Sequence, residues 1–144
     1  MNLFGMLEVS GSALAAERLR AEVVSANMAN AETTRTPQGG AYRRQLVVFR
    51  ARPMLRFPLL LAGMRTLPTE GVRVDRIVAD VSPLPQRYEP GHPDADGAGY
   101  VTYPNVNPVL EMTDLLSAVR AYQLNAAAVQ AAKTMIQQSL QILS

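Results

Sequence analysis

The residues most able to do chemistry sit in one short stretch, Pro90-Gly-His-Pro-Asp-Ala-Asp-Gly-Ala-Gly99. His92 is the only histidine, and Asp94 and Asp96 stand two residues apart beside Gly97 and Gly99. Alternating aspartates before a glycine suggest a calcium loop. An EF-hand counted from Asp94 needs oxygen ligands at its fifth and twelfth positions, however, and finds Ala98 and Asn105. The ligand set fails at both places, and the stretch reads as a turn made of Pro, Asp and Gly. Nothing near His92 offers it a nucleophile to activate, and no phosphate-cradling glycine loop or Gly-x-Ser-x-Gly elbow is present. The absence of cysteine excludes disulfides, thiolate metal sites and a cysteine nucleophile. The sequence therefore predicts no catalytic residue, no metal ligand set and no cofactor site.

Charge says little about partners. Fourteen basic residues against twelve acidic leave +2, without the concentrated basic face that nucleic acid requires. Arginine is enriched between Arg18 and Arg65, which suits either an acidic partner or solvated side chains. The most apolar interior run, Phe57 to Ala62, fits an exposed contact loop or a core-filling loop. Its Leu59–Ala62 core is far short of the roughly 20 residues that span a bilayer, so no membrane insertion is expected. The first basic residue is Arg18 and Glu8 breaks the early apolar stretch, so no cleaved signal peptide is expected either.

The organising feature is proline. All ten prolines fall between Pro37 and Pro108, and an internal proline costs a helix about 3 kcal/mol. Both ends are thus free to be long helices. In the first, about Leu3 to Asn30, one stripe runs through Leu3, Leu7, Leu14, Ala21, Val24 and Met28. Val9, Ala13, Ala16 and Val23 form a second stripe beside it, while Ser10 and Glu17 interrupt the first. At the other end Asn107 suits the N-cap and Pro108 the first helical position, with Glu111 and Asp114 near the positive end of the helix dipole. A heptad seam follows through Leu115, Val119, Tyr122, Ala126, Val129, Ile136, Leu140 and Leu143. A second seam of Ala118, Ala121, Ala128, Ala132, Met135 and Ile142 lies next to it.

From Leu115 onward only Arg120 and Lys133 are charged. A lone solvated helix usually carries a charged face. A surface of alanine and neutral amides suits packing against several neighbours, and its alternative is a polar, uncharged solvent face. The middle is expected to hold short strands near Tyr42–Arg50, Gly71–Ala79, Gln86–Glu89 and Gly99–Tyr103. The expected class is α+β, divided into residues 1–30, 31–104 and 105–144.

Two stretches resemble a known family. Ser25 to Arg44 (SANMANAETTRTPQGGAYRR) is similar to the N-terminal motif of flagellar rod and hook axial proteins. Tyr103 to Asn125 (YPNVNPVLEMTDLLSAVRAYQLN) is similar to their C-terminal motif. Thr34 to Gly40 and Tyr88 to Asp96 point to the proximal rod branch of that family. Gln123 stands where the family pattern has Glu, and Arg56 to Gly63 is more apolar than the pattern. The resemblance implies terminal helices that pair as an antiparallel coiled coil, with a small β-rich domain between them. It implies export through the flagellar type III apparatus without a cleaved signal, and a place in the rod where it crosses the periplasm. The implied partners are other flagellar rod proteins, the rod–export-gate adaptor and copies of the chain itself. Asn27, Asn30, Glu111, Arg120, Tyr122 and Asn125 become candidate contact residues, with capping or satisfied polar roles inside one subunit as the alternative. Leu7, Leu14, Val129, Ile136 and Leu140 join them as candidate interface positions on the apolar stripes. Two other classes compete: a soluble helical-hairpin adaptor outside the axial structure, and a small hydrolase or metal protein that would need His92.

Overall fold

The computed structural model describes residues 3–53 and 69–143. The arginines at 56 and 65 and the apolar stretch Phe57–Ala62 lie outside the described residues. Within them the order is α1 (Leu3–Ala29), β1 (Gln45–Pro53), β2 (Thr69–Ala79), β3 (Gln86–Tyr88), β4 (Tyr100–Thr102) and α2 (Pro108–Leu143). The class is α+β. The helices are about 40 and 54 Å long at 1.5 Å per residue.

Each helix ends where its sequence supplies a stop. Past Ala29, the Asn30 side chain donates to the Ala26 carbonyl at 2.9 Å and accepts from the Thr33 hydroxyl at 3.2 Å. The Ala26 carbonyl, which also accepts from the Asn30 amide at 3.1 Å, thus gains a second donor at the helix end. At the start of α2 the Asn107 side chain accepts from the amides of Val109 at 3.0 Å and Leu110 at 3.4 Å. Pro108 at the first helical position has no amide to satisfy.

The strands form two two-stranded sheets, β1 with β2 and β3 with β4. The second is antiparallel, with Gln86 opposite Thr102, Arg87 opposite Val101 and Tyr88 opposite Tyr100. Asp96 closes the turn before β4, accepting from the amides of Ala98 and Tyr100 at 2.9 and 2.8 Å. Gly99 follows at φ +83°. The carboxylate once considered as a metal ligand is thus an acceptor for its own turn. Asp94 accepts from the Thr34 hydroxyl at 2.8 Å and lies 3.7 Å from Arg35. The strand β1 begins three residues later than its sequence pattern suggests. At its entry, Arg44 just before the strand and Gln45 at its first position give their amides to the side chains of Asn105 and Asn27.

The chain divides into two compact units: Met1–Leu19 with Phe49–Asp75 and Ala118–Ser144, and Arg20–Val48 with Arg76–Ser117. In the first, Ser10, Ala16, Ala118 and Ala132 are buried. Ser12 there joins α1 to the start of the β2 ladder, donating to the Val9 carbonyl at 2.7 Å and accepting from the Val72 amide at 3.1 Å. Gly71 beside it has φ +118°, and a Cβ on it would lie 2.2 Å from the Ser12 hydroxyl. Gly71→Ala is therefore expected to lower stability by about 2 kcal/mol or more, from backbone strain and this clash together. Gly91→Ala, with nothing within 4 Å of its added Cβ, should stay within about 0.5 kcal/mol of the parent. Urea unfolding of the two variants checks the contrast.

In the second unit Val23, Val24, Asn27, Val101 and Glu111 are buried. Along α2 the most buried positions are Glu111, Ala118 and Ala132, with half-buried Asn125 at the intervening heptad place. The alanine seam is thus the deeper one. Of the other seam, Leu115, Ala126, Val129 and Ile136 are half-buried, while Val119, Tyr122 and Leu140 are 41%, 43% and 62% exposed. Small residues let another backbone approach most closely, so Ala118 and Ala132 lie deepest, while Val119, Tyr122, Leu140 and, in the alanine seam itself, Met135 are exposed.

Candidate functional site

The most buried polar group in the second unit is a clasp between the end of α1, the entry to β1 and the start of α2. Asn27, 1% exposed, is its centre. Its amide nitrogen donates to the Gln45 carbonyl and to Glu111 Oε2, both at 2.9 Å. Its oxygen accepts from the Gln45 amide at 2.8 Å and the Tyr42 hydroxyl at 2.9 Å. Two donors and two acceptor positions are the full capacity of an asparagine side chain, and all four are used. Turning the amide over would set donors against donors and acceptors against acceptors, so the network defines its orientation.

Glu111 is 0% exposed, and its second oxygen accepts from Arg44 Nε at 2.5 Å. Arg44 Nη2 reaches Asp114 at 3.3 Å, and Asp114 also accepts from Arg20 at 3.3 Å. Two carboxylates and two guanidiniums thus face one another, so the cluster buries no net charge. The members differ in weight. Arg20–Asp114 is 28% and 40% exposed and belongs with surface pairs worth about 0–1 kcal/mol. Arg44–Glu111 is 23% and 1% exposed, and loss of one partner would strand a charge away from water.

Burial and the negative charge of Glu111 together hold the Tyr42 hydroxyl above the usual tyrosine pKa near 10. The folded state keeps this proton when the unfolded chain has lost it. The contribution is complete below pH 10 and disappears as pH rises through the folded value. Tyr42→Phe is expected to flatten the loss of stability above pH 10 relative to the parent, while costing about 1 kcal/mol at pH 7 for the lost hydrogen bond. Denaturation midpoints between pH 7 and 11 test both parts.

The candidate contact residues separate into two kinds. Asn27 and Glu111 meet each other in the clasp. Asn30 caps α1, and Asn125 donates to the Ala121 carbonyl one turn back at 2.9 Å. Leu7, Leu14, Val129 and Ile136 are half-buried, whereas Arg120, Tyr122 and Leu140 are exposed. The clasp also draws in Arg20, Tyr42, Arg44, Gln45 and Asp114, which the sequence reading did not select. Tyr42 and Arg44 lie inside the quoted N-terminal motif, so the signal was present. What was missing was the return of that loop to the helix end.

Beyond its buried stripe, α2 displays further apolar groups. Val109, Met112, Leu116 and Val119 succeed one another at steps of three and four residues and are 73%, 56%, 51% and 41% exposed. Leu110 and Leu124, fourteen residues apart, lie on another side at 58% and 73% exposure. Among the charged groups of this helix, Glu111 is buried and Asp114 is engaged by two arginines. Exposed apolar surface on several sides of one helix marks interaction surface.

Exposed apolar faces beside an internally satisfied clasp fit a chain that works by packing against partners. Residues 7–35 match the family model for flagella basal body rod protein, and residues 98–142 match that for flagellar basal body rod FlgEFG protein C-terminal. A flagellar basal-body rod protein FlgC from Borreliella burgdorferi is 43% identical, covering 99% of both chains. That from Bacillus subtilis is 40% identical, again over 99% of both, and that from Salmonella typhimurium is 36% identical over 97% of both. The chain belongs to the FlgC family of flagellar basal-body rod proteins.

Membership places it in the flagellar basal body, as a structural subunit associated with other rod components. The adaptor outside the axial structure is not favoured by relatives that match over nearly the full length. No helix among the described residues is long and apolar enough to cross a membrane.

Proposed function

We propose that this chain is a subunit of the proximal rod, stacking helically with its neighbours into the shaft that transmits torque and encloses the export channel. The single observation that carries the reading is the near-full-length likeness to FlgC proteins. The outward apolar faces of α2 support it, because heterologous contacts between different faces propagate without closing and build a tube. In this reading α1 and α2 pair as an antiparallel coiled coil. Two contacts agree with it: Arg20 meets Asp114 and Asn27 meets Glu111, so residue numbers rise along one helix as they fall along the other.

Residues 1–30 and 105–144 then act as axial helices, and 31–104 as the connecting, outward region. The partners are other rod proteins, the rod–export-gate adaptor and further copies of this chain. The flagellar type III apparatus exports it without a cleaved signal. Arg120, Tyr122 and Leu140 face other subunits, while Asn27, Asn30, Glu111 and Asn125 act within one. Deleting the gene should abolish motility and leave basal bodies without a completed rod, both restored by the gene in trans. Normal motility in a strain with no second copy would overturn the proposal.

A further inference from the structure

We propose that a cleft beside the β3–β4 ribbon is a binding site for a neutral glycan chain. Strand alternation separates the two faces of the ribbon. On one face Val101 is 0% exposed, and Arg87 opposite it sits 4.4 Å over the Tyr103 ring. Tyr88, Tyr100 and Thr102 take the other face. The two tyrosine rings meet edge to face, 5.3 Å between centroids, and remain 65% and 45% exposed. Gly99 makes room for this pair, since a Cβ there would lie 2.9 Å from the Tyr88 ring. Tyr100 and Thr102 border a cleft of about 390 Å³, lined also by Thr34, Leu84, Asp94 and Asp96.

The lining selects among ligand classes. Arg35, its one cation, lies 3.7 Å from Asp94, whose other oxygen holds the Thr34 hydroxyl. One paired guanidinium beside two carboxylates disfavours phosphates and other anions. Asp96 uses Oδ1 for both of its turn amides, which leaves Oδ2 to accept from a ligand hydroxyl. Open ring faces next to a carboxylate oxygen and a threonine hydroxyl match a saccharide, which offers apolar C–H faces and hydroxyl groups together. Tyr88 extends the aromatic surface beyond the cleft, so a chain of sugars engages more of it than a single ring. Both bordering loops are already closed: the Thr36 amide donates to the Gly40 carbonyl and the Gly39 amide to the Thr36 carbonyl, opposite the Asp96 turn. Little ordering then opposes binding. All of the lining falls within residues 31–104, the outward region in the functional reading above. On that reading, and only on it, the cleft faces the periplasm, where cell-wall glycan is the saccharide chain at hand.

The test is titration of the soluble full chain with the tetramer of N-acetylglucosamine, followed by amide NMR shifts. It uses no other rod component, so its result stands apart from rod membership. Saturable shifts are expected at Gly40, Ala41, Asp96, Tyr100 and Thr102, with none along α2. Tyr88→Leu and Tyr100→Leu remove a flat ring but keep an apolar side chain, and each should weaken binding by about tenfold. Tyr100→Phe keeps the ring face and should bind within about threefold of the parent. No saturable shift up to about 10 mM tetramer would overturn the proposal. So would shifts of the parent confined to α2, a reading that holds even where a leucine variant fails to fold. Folded leucine variants that bind as the parent does would overturn it as well. If the same amides move only when the concentration of the chain itself is raised, the cleft is a contact between copies and the glycan proposal falls.

Discussion

Replacing Glu111 with alanine is expected to destabilise the subunit by roughly 3–5 kcal/mol, the usual cost of removing one partner from a buried pair. The carboxylate accepts from Asn27 and Arg44 at a site without solvent. Without it, Asn27 loses an acceptor and Arg44 keeps only Asp114, at 3.3 Å and 40% exposed. Against a typical total of about 5–15 kcal/mol, such a loss leaves a large unfolded fraction. The measurement is the urea midpoint of the purified subunit, with an unchanged slope as the sign that stability alone has moved. Arg44→Ala should be costly too, because it leaves the buried Glu111 carboxylate with only the Asn27 amide. The double variant should be less harmful than the sum of the two, by more than about 1 kcal/mol, since the pair is in direct contact. Strict additivity would show that the two residues act independently, contrary to the clasp.

The second large effect should appear in assembly and not in folding. Leu124 is 73% exposed, and glutamate is a good helix former, so Leu124→Glu should leave subunit stability within about 0.5 kcal/mol of the parent. Where that face packs against another subunit, the same change would bury a carboxylate, at a cost of several kcal/mol if it finds no partner. Swimming in soft agar should therefore be lost while the subunit remains folded. Leu116→Glu, on a different side of α2 and 51% exposed, should behave alike. Full motility in both variants would remove these two sides of α2 from the packing surface. Glu111→Ala and Leu124→Glu thus predict opposite pairs of readings: one loses the fold, the other loses only what the fold builds.

Proline and heptad periodicity made the helices legible. Asn107 caps α2 and Pro108 opens it, as their residue types require, because a cap depends on groups within one turn. The Pro-Asp-Gly turn before β4 was equally local, with Asp96 accepting from amides two and four residues on. The short strands were legible in type. The end of β2 at Ala79 and the start of β3 at Gln86 also agree, while the other ends shift by one to three residues. β1 starts at Gln45, where the amides of Arg44 and Gln45 go to the side chains of distant asparagines.

By itself the sequence determined where helices can run, the turn at Asp96, and, through two long motifs, the family. These depend on near neighbours in the chain or on matching residue order, both of which are written in one dimension. The tertiary structure decided which α2 seam lies deepest, placing Ala118 and Ala132 inside and Tyr122 and Leu140 outside. Periodicity shows which residues share a face, but closeness of approach depends on what is packed against it. The tertiary structure also decided that Asn27, Tyr42, Arg44 and Glu111 form one group. Asn27 and Glu111 are 84 residues apart, and only the folded chain brings the carboxylate to the amide it needs once water is excluded.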